Sequence, residues 1–198
     1  MGSSLGTRGL RCLAIADRDE ARNVRAGLPV LCEALPADVY VFGGSDLAPA
    51  GEGSWGFGVS MDTVQRLDAG SGLWEKQAPM PVARAGCAAV AVLGKVYVVG
   101  GSDCSVQATD RVDSFDAATH SWASMPSMVV ARQGCAVAAF GGALFVMGGL
   151  GHWRPLASSE RLSLSGGDWE PLQDMKSARY GCAAAAVAGH VYCIGGGE

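Results

Sequence analysis

Three segments of this chain carry the same residues in the same order: WEKQAPMPVARAGCAAVAVLGKVYVVGG, WASMPSMVVARQGCAVAAFGGALFVMGG and WEPLQDMKSARYGCAAAAVAGHVYCIGG. Aligned on Trp74, Trp122 and Trp169, they lie 48 and 47 residues apart. Met80, Met128 and Met175 follow each tryptophan, then Arg84, Arg132 and Arg179, then Gly86, Gly134 and Gly181. Each segment ends on a glycine pair, Gly100-Gly101, Gly148-Gly149 or Gly195-Gly196, and a fourth pair, Gly43-Gly44, precedes them all. A period this long exceeds most helical repeats and suits a unit of four short strands.

Each unit parses into strands. GCAAVAVL is a short apolar stretch that stops at Gly94-Lys95, and VYVV then runs into the glycine pair. That is strand, tight turn, strand. The second strand is apolar on both faces, as a strand covered on both sides should be. On this reading Tyr40, Tyr97 and Tyr192, which share its middle position, are buried structural residues. A variable loop follows, then a third strand: VQRLD at 64–68, VDSFD at 112–116 and SERLS at 159–163. The tryptophan opens a fourth strand, seven residues after Leu67, Phe115 or Leu162. The GCAAVAV, GCAVAAF and GCAAAAV stretches hold few bulky side chains, which suits strands converging on a narrow axis. As helices they fail, being short, flanked by glycine and followed at once by a β-branched strand. The glycine pairs allow positive φ at the strand end, and the tryptophans are large enough to fill the wedge between adjacent sheets.

A glycine pair, an apolar-polar strand ending in Asp68 or Asp116, a tryptophan and an Arg-x-Gly, recurring in register over residues 39 to 198, resemble the kelch repeat. The resemblance implies an all-β fold, a β-propeller of four-stranded blades. Two departures are tolerable. Leu67, Phe115 and Leu162 stand where the family often has tyrosine, and Ser163 replaces the aspartate of the third repeat.

Four glycine-pair strands against three tryptophan strands make about three and a half blades. RAGLPVLCEALPADVYV echoes RAGCAAVAVLGKVYV, so 25–35 is read as a degenerate inner strand. The expected organisation is a flexible N-terminal extension over 1–24 and a propeller segment over 25–198, with units at about 25–75, 84–123, 132–170 and a half unit at 179–198. Closed propellers have roughly 4–8 blades. A piece of a longer propeller is favoured, beside an irregularly closed ring of four and a ring completed by a second copy. An incomplete ring exposes apolar sheet faces and would self-associate.

Composition narrows the function. The net charge of -4 argues against nucleic-acid binding, which wants a basic face. No apolar run nears the about 18 residues of a membrane span. The start MGSSLG has Gly6 where a myristoylation signal needs Ser or Thr. Seven cysteines lack zinc spacing, and Cys87, Cys135 and Cys182 share one strand position as small fillers. A reducing, cytoplasmic setting is therefore expected, with no metal and no cofactor.

Chain direction puts the Arg-x-Gly segments and the loops after the glycine pairs at one end of the propeller. Those loops, 45–61, 102–109 and 150–158, vary most. Trp55, Phe57 and Trp153 on them are expected to contact a protein or peptide partner. Arg84, Arg132 and Arg179 form a candidate ring at the channel mouth, and the family resemblance implies that arginines there can hold acidic groups of a peptide. The competing reading, that an arginine repeated in every blade serves the blade by bonding neighbouring carbonyls, carries more weight. The function expected is a non-catalytic protein-interaction module, which the resemblance extends to a ubiquitin-ligase substrate adaptor or a cytoskeletal scaffold. The alternative is a propeller enzyme acting on a sugar, as an epimerase, mutarotase or oxidase. His120, His152 and His190 fall in different parts of the repeat, and no nucleophile–base order stands out.

Overall fold

The computed structural model describes residues 14–15, 38–46, 59–103, 105 and 107–198. All the regular structure among them is β.

The first sheet holds β1 (Ala14–Ile15), β2 (Val39–Phe42), β5 (Val64–Leu67) and β6 (Trp74–Lys76), in that order. A small hairpin, β3 (Ser45–Asp46) with β4 (Val59–Ser60), rises from its loop. The second sheet is a meander of β7 (Ala88–Val92), β8 (Lys95–Val99), β9 (Val112–Asp116) and β10 (Ser121–Ser124). The third repeats it with β11 (Ala136–Phe140), β12 (Ala143–Met147), β15 (Ser159–Ser163) and β16 (Glu170–Pro171), and carries a loop hairpin of β13 (Leu150–Gly151) and β14 (Arg154–Pro155). The fourth consists, among the described residues, of β17 (Ala183–Val187) and β18 (His190–Ile194).

The inner strands β1, β7, β11 and β17 pack side by side in that order. At the axis the Gly134 N–H donates to the Gly86 carbonyl and the Gly181 N–H to the Gly134 carbonyl, both at 2.8 Å. The sheets therefore fan out from a common line as propeller blades, and among the described residues the ring is not closed.

Two turns of sequence logic hold in the backbone. Leu93-Gly94, Gly141-Gly142 and Ala188-Gly189 all have positive φ at both positions, the two-residue turn that matches strand twist. In each glycine pair the first glycine lies near φ +60 to +70°, and a Cβ built at Gly43, Gly100 or Gly148 would fall on the carbonyl oxygen of Arg84, Arg132 or Arg179 of the next blade. The second glycine donates its N–H to that same carbonyl, at 3.0, 2.9 and 2.8 Å. The glycine pair is thus the joint between blades.

The cores lie between sheets, not within them. Along β8, Val96 and Val98 face back to Tyr40, Phe42, Val64, Met80 and Cys87. Tyr97 and Val99 face forward to Met128, Cys135, Val137, Leu144 and Trp169. The indole N–H of Trp122 donates to Ala78 O at 3.1 Å, and that of Trp169 to Pro126 O at 2.8 Å. Each pins an outer strand to the segment that enters the same blade.

The proposed inner strand at 25–35 lies outside the described residues. The inner place beside Tyr40 and Val41 is held instead by Ala14–Ile15, within the stretch expected as a flexible extension, and it runs parallel to β2. Tyr40 and Tyr97 are buried as expected, but Tyr192 is 49% exposed, because among the described residues no further sheet covers that face of β18.

Candidate interaction rim

Arg84 and Arg132 leave their loops and turn into the blade. Both are fully buried. Arg84 Nη2 meets Asp113 Oδ2 at 2.7 Å, and its Nη1 donates to the carbonyls of Gly100 and Arg111. Arg111 clamps the same carboxylate from the other side, with Nε at 2.7 Å from Oδ2. Burial pulls the Arg84 guanidinium below its ordinary value. Arg132 repeats the arrangement with Glu160 Oε1 at 2.6 Å and the carbonyls of Gly148 and Ser158. Glu160 also accepts from the N–H groups of Val129 and Val130. Neither guanidinium is presented at the channel mouth, so the ligand reading of Arg84 and Arg132 gives way to the blade-serving one. The reason is charge pairing: a buried guanidinium needs a buried carboxylate, and the second and third blades each supply one, Asp113 and Glu160. Arg179 is partly exposed, holding Gly195 O at 2.8 Å and Ser177 Oγ at 2.9 Å.

These carboxylates were not among the expected site residues. Asp113 and Glu160 are both the second residue of the third strand, a repeat visible in VDSFD and SERLS.

The surface at this end is built from the residue between Arg and Gly. Ala85, Gln133 and Tyr180 each bridge antiparallel to the loop after the glycine pair, at Ser102, Leu150 and Gly197. The Ser60 hydroxyl donates across to Ser102 O at 3.2 Å, joining the first loop to the second. Between the second and third blades the loops leave a cavity of about 250 Å³, lined by Gln107, Ala108, Ala131, Gln133, His152 and Trp153. Here the Arg-x-Gly segment and the loops following two glycine pairs do come together.

Trp153 is 60% exposed at this cavity. It and His152 form the two-residue turn between β13 and β14, with φ +62 and +49°. Such a turn needs positive φ at both positions and favours Asn-Gly. Two bulky residues there carry backbone strain, a feature concentrated at functional sites. Trp55 and Phe57, the other aromatic candidates, lie outside the described residues. Gln107, Gln133 and His152 were not among the expected contacts, although the x of Arg-x-Gly sits beside every loop at this end.

Among the described residues there is no cluster of three or more His, Cys, Asp or Glu residues that could hold a metal ion, and no helix long and apolar enough to cross a membrane. Residues 83–129 and 131–176 each match the kelch motif. No curated protein matches the chain.

Proposed function

Because the chain is a kelch-repeat protein, of the class whose β-propellers commonly serve as protein-interaction modules, we propose that it is a non-catalytic docking module whose partner protein or peptide sits on the rim around Trp153. The observation that carries this is the His152-Trp153 turn, which spends backbone strain to hold a large indole in solvent at a cavity mouth. Exposed tryptophan is a favoured anchor, giving much contact area for little lost freedom. The carboxamides of Gln107 and Gln133 and the imidazole of His152 supply hydrogen-bonding groups beside it. This set suits a partner segment that inserts a flat or apolar side chain against the indole and bonds through its main chain.

The test is an affinity capture from cell lysate with the intact protein and with Trp153→Ala, whose side chain is outside the cores. The expected result is loss of the captured partners with an unchanged melting temperature. Retention of the same partners by Trp153→Ala would overturn the rim as the docking site.

A further inference from the structure

A folded rim takes up a segment of another protein in few ways, and the surroundings of the Trp153 cavity remove most of them. An added strand needs an open main-chain edge. Here the main-chain groups are already paired. Gln133 exchanges both bonds with Leu150 and Ser102 with Ala85, while the N–H groups of Thr109 and Leu156 donate to Gly101 O and Gly149 O. Gly151 faces Arg154 in the β13–β14 hairpin, and the Gln107 N–H bonds the Asp103 carboxylate. A charged segment needs a counter-charge, and among the described residues none that lines the cavity is Lys, Arg, Asp or Glu. Arg132, next to Gln133 in the chain, is buried on Glu160. A docked helix needs a row of apolar anchors. A dry cavity of about 150 Å³ holds one benzene ring, so the 250 Å³ here takes roughly one or two residues, too few for such a row.

The site offers a flat apolar face and side-chain donors. The indole of Trp153 stands in solvent beside the methyl groups of Ala108 and Ala131. Gln107 comes from the loop of the second blade and Gln133 from the Arg-x-Gly segment of the third, and each carboxamide can donate two N–H groups. Proline matches this set. Its ring is flat and apolar. It has no N–H to be left unpaired against the indole, and the carbonyls on either side of the ring are strong acceptors. A proline-rich stretch is also extended before it binds, so little freedom is lost, which a contact with a single aromatic anchor requires.

Resting on the docking role of this rim, we propose that the contacting segment of the partner is an uncharged, proline-rich stretch in the polyproline II conformation. A proline ring lies on the indole of Trp153, and the carbonyls flanking it accept from Gln107 and Gln133. The strained turn that His152 shares with Trp153 fixes the indole for this stacking. Selectivity comes from what the cavity lacks: carboxylates find no cation there, and a strand finds no edge.

The probe is a fluorescein-labelled polyproline peptide, titrated against the whole protein and followed by anisotropy. Saturable binding is expected, with weaker binding of a Gly-Ser peptide and of an aspartate-rich peptide of the same length and label. Trp153→Ala should weaken the polyproline complex by more than about tenfold, and Trp153→Phe, which keeps a flat ring, should restore part of it. Gln107→Leu and Gln133→Leu, which remove the donors, should each weaken it several-fold at an unchanged melting temperature. Absence of saturable binding, equal binding of the Gly-Ser peptide, tighter binding of the aspartate-rich peptide, or a polyproline affinity unaltered by Trp153→Ala would overturn the proposal. Partners captured from lysate through Trp153 but not displaced by excess polyproline would overturn the proline assignment and leave the rim as a docking site. Partners retained by Trp153→Ala would remove both.

Discussion

The hairpin β7–β8 and the hairpin β17–β18 are nearly the same sequence in two different surroundings. Both have a small-residue inner strand, a two-residue turn with positive φ, a second strand ending in a glycine pair and a preceding Arg-x-Gly. Yet Tyr97 is 6% exposed and Tyr192 49%, Val99 0% and Ile194 58%. The joint glycines tell the same story. Gly100 and Gly195 have φ +62 and +69°, but a Cβ at Gly100 falls on Arg132 O, whereas one at Gly195 meets nothing within 4 Å among the described residues. The repeat builds the hairpin by itself. The core belongs to the contact between blades, so a unit is only as buried as its neighbour makes it.

The largest effect should come from the joint. Gly100→Ala drives a methyl group into the Arg132 carbonyl and forces a left-handed alanine. A loss above about 4 kcal/mol is expected. Gly195→Ala meets only the backbone strain, about 1–2 kcal/mol. Urea denaturation of the two variants checks this, and equal losses would break the comparison. Next comes the buried pair. Glu160→Gln leaves Arg132 buried without its counter-charge and should cost about 3 kcal/mol. Arg179→Met removes a partly exposed cation with no carboxylate partner among the described residues and should cost less than about 1 kcal/mol by the same measurement. A large loss for Arg179→Met would mean that the fourth blade is already completed.

The smallest effect separates the turns. Asp68 and Asp116 are partly exposed, and both lie below the ordinary value of 3.8, first because backbone N–H groups of Ser71 and Thr119 bond the carboxylates. Their folded values are depressed, so their contribution is complete above 3.8 and is lost as pH falls through the folded values. In the third blade Ser163 takes their place and bonds the Ser165 N–H at 3.4 Å. Replacing both aspartates by serine should lower the melting temperature slightly at neutral pH and flatten its decline below pH 3.8. An unchanged acid limb would refute the role of these turns.

Much of the blade was legible because its determinants are close in sequence. The Leu93-Gly94 turn, the alanine-rich inner strands and the placing of Trp153 beside the Arg-x-Gly segments all follow from local rules and chain direction. The arginines were legible as a repeat but not as a role. Whether Arg132 points to solvent or inward depends on Glu160, 28 residues away, and only strand register brings the two together. The strain at His152 and Trp153 was hidden for a similar reason. GHWRP reads as an ordinary loop until Leu150 and Gly151 pair with Pro155 and Arg154 and force both central residues left-handed.

The sequence alone determined the repeating unit, the order of its strands and the end of the propeller on which its loops gather, since each rests on contacts within about four dozen residues. The tertiary structure decided which side chains those units bury, which arginines acquire a carboxylate, and that Ala14–Ile15 takes the inner place of the first sheet. These outcomes depend on which sheet lies next to which, and apolar surface is buried only where another surface arrives to cover it.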